Sequence, residues 1–142
     1  MCFFKKSEPP QIPIIITHAT EMMKVMGNNN VDLLYAPMDT EYYHTSPSGW
    51  LKVFDYIYSN KVMPKYIAER MDCEDFAMWL KAMVSLHFGL NWFAFIIGDS
   101  PMGRHGFNAF YDGSLWLLEP QDKDHVPFKI GDNGYTPLFA VV

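Results

Sequence analysis

A chain of 142 residues that is 49% hydrophobic and 19% charged is long enough for one domain with a core of its own, and too apolar to stay disordered. Its net charge of -5, with no run of Lys and Arg interleaved with aromatics, argues against a nucleic-acid partner. The longest aliphatic stretch, residues 12–16, contains Pro13 and is too short to span a bilayer.

Residues 1–13 are Pro-rich at Glu8-Pro9-Pro10 and read as an extended arm, followed by one domain over 14–142. No secretory leader is expected, because Cys2-Phe3-Phe4 precedes Lys5 and Lys6, the wrong order, and is too short. Cys2 beside two Phe and two Lys also has the composition of an acylated anchor, but a loose terminus is the simpler reading. With Cys2 and Cys73 the only cysteines, a disulfide framework is excluded. Free thiols and a reducing, cytoplasmic compartment are expected.

Ile14 to Thr17 suits a short strand, although residues 22–26 could equally continue a helix. Residues 27–30, Gly-Asn-Asn-Asn, are a turn or loop, and 31–47 carry little periodicity. A helix is expected over 49–59, capped by Ser48, with Leu51, Phe54, Ile57 and Tyr58 at helical spacing. A second helix starts at Asp72 as N-cap, with Asp75 at the capping-box position, and stops at Gly89. Its stripe is Phe76, Ala77, Leu80, Met83, Val84 and His87, with Cys73 at its head. After Gly89 the pattern turns to strands: 92–97, 105–110 and 115–119, with weaker candidates at 126–130 and 137–141. Helices first and strands second imply an α+β domain, its cysteine helix packed on a C-terminal antiparallel sheet.

A thiol in the first turn of a helix meets free backbone N–H groups and the positive end of the helix dipole, which favour the thiolate. His105 and Glu119 follow in the order Cys, His, acid of thiol hydrolases. Whether the last two meet depends on the turn between their strands. A loop of Tyr111, Asp112 and Gly113 pairs Phe110 with Ser114 and sets His105 directly opposite Glu119. One face then carries His105, Phe107, Ala109, Leu115, Leu117 and Glu119, and this apolar face is expected against the cysteine helix. In that arrangement Cys73 attacks a carbonyl carbon, His105 takes the thiol proton and Glu119 orients the imidazole. The Cys73 N–H would supply half an oxyanion hole, with Gln11, Trp50, Asn60 and Tyr66 open as sources of the second donor.

Asp72, Glu74 and Asp75 crowd the thiol, and negative charge raises a thiol's pKa. A cation held by Asp72, Glu74 and Asp75, or a protonated His105, would relieve the crowding. Read singly, Cys73 on an apolar stripe is a buried core cysteine, Asp72 and Asp75 are helix caps, and Glu119 is a strand end before Pro120. His18, His44, His87 and His125 read as structural. A transition-metal site on Cys73, His105 and Glu119 is a further alternative.

Asp72-Cys73-Glu74-Asp75-Phe76-Ala77 resembles the cysteine box of transglutaminase-like and papain-fold cysteine peptidases. Gly103 to Asn108 resembles their histidine strand, and Trp116 to Gln121 the acid strand of a narrower group. That group comprises phage and bacterial proteins related to the C-terminal domain of the Marasmius oreades agglutinin. Trp50 to Tyr58 and Met63 to Ile67 also look like it, so the resemblance spans residues 48–122. It implies a papain-like fold with Cys73, His105 and Glu119 as catalytic residues. It also implies a peptide or protein substrate, and calcium or manganese near Asp72, Glu74 and Asp75 as the only cofactor. The expected function is thus a thiol hydrolase of the cysteine peptidase or amidase type, phage-encoded. The alternative is a non-catalytic interaction protein that keeps the fold.

Overall fold

A computed structural model describes residues 8–142. Cys2, Lys5, Lys6 and the first half of the expected arm lie outside the described residues; residues 8–14 carry no regular secondary structure. From there the order is β1 (Ile15–His18), α1 (Ala19–Asn28), β2 (Asp32–Leu33), β3 (Glu41–His44), α2 (Pro47–Asn60) and α3 (Cys73–Phe88). Strands β4 (Phe93–Ser100), β5 (Gly103–Tyr111), β6 (Leu115–Leu118) and β7 (Thr136–Val141) complete the domain.

The domain is α+β, as expected, but its main sheet is mixed. Its five strands run β2-β7-β4-β5-β6, and β2 is parallel to β7 while the other pairs are antiparallel. β1 and β3 form a separate antiparallel pair. The expected strand near 126–130 is reduced to a single bridge between Phe128 and Leu117.

Helix ends follow their local signals. α3 begins after Asp72 and stops at Gly89, which takes the left-handed conformation with φ 66°. α2 begins earlier than expected, because Ser46 caps it. The Ser46 hydroxyl accepts from the Gly49 N–H at 3.2 Å, and Pro47 fills the first turn, where its missing N–H costs nothing.

The sheet is buried on both sides, and this corrects the expected packing. One core joins Met22 and Met26 of α1 to Trp92, Ile96, Phe107, Ala109 and Leu117. The other joins Trp50, Phe54 and Ile57 of α2 and Leu80 and Val84 of α3 to Phe93, Phe110 and Leu118. The cysteine helix therefore lies on the Asn108 and Phe110 face of β5, not on the Phe107 and Ala109 face. Buried Asn108 ties it down, donating to Ala77 O at 2.9 Å and to Ala94 O at 3.1 Å. Apolarity could not choose the face, because both faces meet a helix.

The hairpin register also differs. Tyr111 pairs with Leu115, Phe110 with Trp116 and Asn108 with Leu118, so the loop is Asp112, Gly113 and Ser114. Gly113 sits at φ 114°, and the Ser114 N–H donates to the Asp112 carboxylate at 3.2 Å. The register is shifted by two residues from the expected one. A shift of two preserves the face of every side chain.

Candidate ligand site at the start of the cysteine helix

Cys73 is the first residue of α3. Asp75 secures the turn, its Oδ2 accepting from the Asp72 N–H at 3.3 Å. β5 runs past this turn at unusually close range: a Cβ on Gly106 would stand 2.6 Å from Glu74 Cα and 2.9 Å from Glu74 N. Only glycine permits that approach. It brings the Gly106 N–H to 3.4 Å from the Cys73 sulfur and sets His105, the preceding residue, on the same cavity wall.

The sulfur also lies 3.3 Å from Glu74 Oε2, to which the thiol donates. Burial pushes the Cys73 thiol pKa up. The hydrogen bond to Glu74 and the charges of Glu74 and Asp72 add to the rise, while the Gly106 N–H opposes it. All of these effects except the Gly106 contact favour the protonated thiol, as the crowding by Asp72 and Glu74 implies.

His105 is buried, and its Nε2 lies 2.6 Å from Glu119 Oε2. The expected partnership forms although the two residues are not directly opposed in the ladder, because the two-residue shift left them on one face. Glu119 has two further donors. Tyr135 OH reaches Oε2 at 2.9 Å, and the Gln121 N–H reaches Oε1 at 3.1 Å.

Cys73, Glu74, Arg104, His105 and Gly106 share a cavity of about 510 Å³ whose apolar wall is Met78, Phe95 and Ile97. The wall residues went unread in the sequence. Strand alternation puts Phe95 and Ile97 on one face of β4, but nothing local announces that this face opens on the cysteine helix. Of the candidate second donors, Trp50 Nε1 donates to Tyr111 O at 2.8 Å and Asn60 Nδ2 to Tyr56 O at 3.0 Å, while Gln11 and Tyr66 are exposed. None of the four lines this cavity.

Ligand atoms of Asp72, Cys73 and Glu74 lie within 4.8 Å of one another. Asp75 stands apart, its carboxylate engaged by the Asp72 N–H. Asp72 hydrogen-bonds Glu74, which holds the Asp72 carboxyl above its usual range. The backbone N–H of Glu74, then Asp72 and the thiol, hold the Glu74 carboxyl below its own. One Asp72 oxygen is buried without a hydrogen-bond partner. Two carboxylates and a sulfur are few ligands for calcium, which takes roughly six to eight oxygens, and the sulfur suits a borderline ion such as zinc better than hard calcium or manganese.

Three of the four histidines expected to be structural have plain roles. His18 caps α1 through its ring nitrogen, and His44 packs edge-on against Trp92 and Tyr111. His125 stacks on Tyr58 and pairs with Asp55 at 2.9 Å.

No family model and no curated protein matches the sequence. Solved structures do. One, described as a PSL1a–E64 complex, matches with a TM-score of 0.65 at 16% identity, over 89% of this chain and 50% of that one. Another is the Polyporus squamosus lectin bound to the human-type influenza-binding epitope Neu5Aca2-6Galb1-4GlcNAc. Its TM-score is 0.63 at 15% identity, over 89% of this chain and 49% of that one. The fold is shared with about half of each of these solved structures. At this identity the likeness shows the fold alone, and the chain spans about half the length of those neighbours.

The agglutinin-related resemblance is thus met at the level of fold. The cysteine peptidase or amidase expected from the motifs is overturned, along with its hydrolase and papain-like description, because the structural neighbours are lectins. Among the described residues, no helix is long and apolar enough to cross a membrane.

Proposed function

We propose that this domain is a binding module whose site is the cavity between the start of α3 and strands β4 and β5, and that its ligand is a carbohydrate. The observation that carries the reading is the make-up of the cavity. An apolar wall of Met78, Phe95 and Ile97 faces the polar groups Glu74, Arg104 and His105. A sugar ring has the complementary character, with C–H faces that pack on apolar and aromatic side chains and hydroxyls that need charged or polar partners. The trisaccharide carried by the Polyporus squamosus lectin supports the ligand class. Calorimetric titration with that trisaccharide and with neutral oligosaccharides tests it. Binding should weaken about tenfold in Phe95→Ser; no heat with any sugar contradicts the reading.

A second reading is favoured by the placement of Cys73 on the cavity wall, and by E64 being the molecule named with PSL1a. Here Cys73, His105 and Glu119 are the reactive centre, and the site captures an electrophile covalently. A sulfur–carbon bond forms as the strained carbon–oxygen bond of an epoxide opens, His105 takes the thiol proton and returns it to the new alkoxide, and Glu119 orients the ring. No amide bond is cleaved in this step. Intact mass after incubation with E64 should show one adduct in the wild type and none in Cys73→Ala. An unmodified wild type rejects the capture.

A divalent cation belongs to the same proposal. Asp72 and Glu74 would hold it beside the Cys73 sulfur, where it would neutralise the carboxylates that crowd the thiol. Manganese should broaden the amide resonances around Asp72 to Glu74 in the wild type and leave them sharp in a protein carrying both Asp72→Asn and Glu74→Gln.

A further inference from the structure

Glu119 is reached from three directions, and one of them comes from the far end of the chain. Tyr135 follows a 3-10 turn at Asp132–Gly134 and precedes β7. Its ring is wedged edge-on between Phe107, 5.2 Å away at 84°, and Phe128, 5.0 Å away at 66°. It meets the His105 ring at 5.9 Å and 72°. Those contacts fix the ring, and the hydroxyl then has one direction: it donates to Glu119 Oε2, the same oxygen that faces His105 Nε2. Burial and the neighbouring Glu119 charge push the Tyr135 phenol well above its usual range, so it stays a donor across the physiological span.

We infer that Tyr135 is a positioning residue: its hydroxyl locks the Glu119 carboxylate onto His105 Nε2 and so fixes the ring of His105 in the cavity. The inference rests on the reading that His105 and Glu119 belong to the functional centre. An oxygen accepting from both Tyr135 and the imidazole requires the proton on Nε2, which leaves Nδ1 of the neutral ring as the acceptor. Without the phenol, Glu119 keeps, among the described residues, the Gln121 N–H as a competing anchor. That donor binds the other oxygen and pulls the carboxylate toward its own loop. Other charged and titratable groups also bear on this pair: Cys73 and Glu74 from α3, Tyr58 from α2, Asp122 from the loop after Glu119, and Arg104 beside His105. None of them is the second donor to Oε2.

Proton NMR of the ligand-free protein tests this without any sugar or electrophile. The wild type should show a downfield, slowly exchanging Nε2–H resonance from His105, the mark of a short bond to a carboxylate. In Tyr135→Phe, which keeps the ring and its packing, that resonance should move upfield and exchange with water at least about tenfold faster. A folded Tyr135→Phe protein with the resonance unmoved overturns the inference. If Tyr135→Phe does not fold, wild-type protein with 3-fluorotyrosine at position 135 serves instead. A shifted His105 proton there supports the lock, and an unshifted one overturns it. Failure of sugar or E64 binding leaves this result standing, so the two readings fail separately.

Discussion

A methyl group on Gly106 would stand 2.6 Å from the Cα of Glu74, closer than two carbons approach unless one moves. The contact is backbone against side chain, with no flexible end to yield. Gly106→Ala should therefore cost about 1–3 kcal/mol in urea unfolding and part the Cys73 sulfur from β5. At the neighbouring thiol, Glu74 is both hydrogen-bond acceptor and negative charge, and both effects hold the proton on sulfur. Glu74→Gln should lower the thiol pKa, so that alkylation by iodoacetamide near pH 8 is faster than in the wild type. Unchanged rates would mean that burial alone sets the pKa.

At the scale of elements, polar side chains of both partners fasten α3 to the sheet. Asn108 is fully buried, and its amide group bridges carbonyls of α3 and β4. Asn108→Ala leaves both carbonyls without that donor and opens a small void, and should cost about 2–4 kcal/mol in thermal or urea unfolding. Lys81, further along the helix, is held to Phe93 O at 2.7 Å, and burial drives its pKa down to about 8. A lysine whose folded pKa lies below its unfolded value releases its proton more readily when folded. Its share of stability therefore rises as pH increases from about 8 toward the ordinary lysine range near 10.4. The stability difference between the wild type and Lys81→Met should shift in favour of the wild type over that interval. A pH-independent difference contradicts the assignment.

The same scale shows where the sequence was legible. The ends of α3 carry local signals, Asp72 and Gly89, and both hold. The start of α2 was misplaced because Ser46 and Ser48 are both capping residues, and only the Pro47 between them favours the earlier one. The partnership of His105 and Glu119 survived a wrong register because face parity tolerates a shift of two. The choice of face for the cysteine helix failed because it depends on what covers the other side of the sheet. Tyr135 was invisible for the same reason: no spacing rule links it to Glu119, and only the closed sheet brings them together.

Across the whole molecule, β4 and β5 contribute to both cores, Ile96 and Phe107 to one and Phe93 and Phe110 to the other. Neither core can dissolve while the other stays intact, so near- and far-ultraviolet dichroism should report one coincident unfolding transition. Two separated transitions would contradict a shared sheet. The cavity sits where this sheet meets the start of α3, lined by buried His105 and by exposed Glu74 and Arg104 beside Phe95 and Ile97. That arrangement suits recognition of a sugar and does not depend on the thiol being ionised. The most direct test follows the backbone amide resonances during titration with Neu5Aca2-6Galb1-4GlcNAc. Shifts concentrated at Cys73, Phe95, Ile97 and Gly106 are predicted. No shifts, or shifts gathered on another face of the domain, would contradict the account.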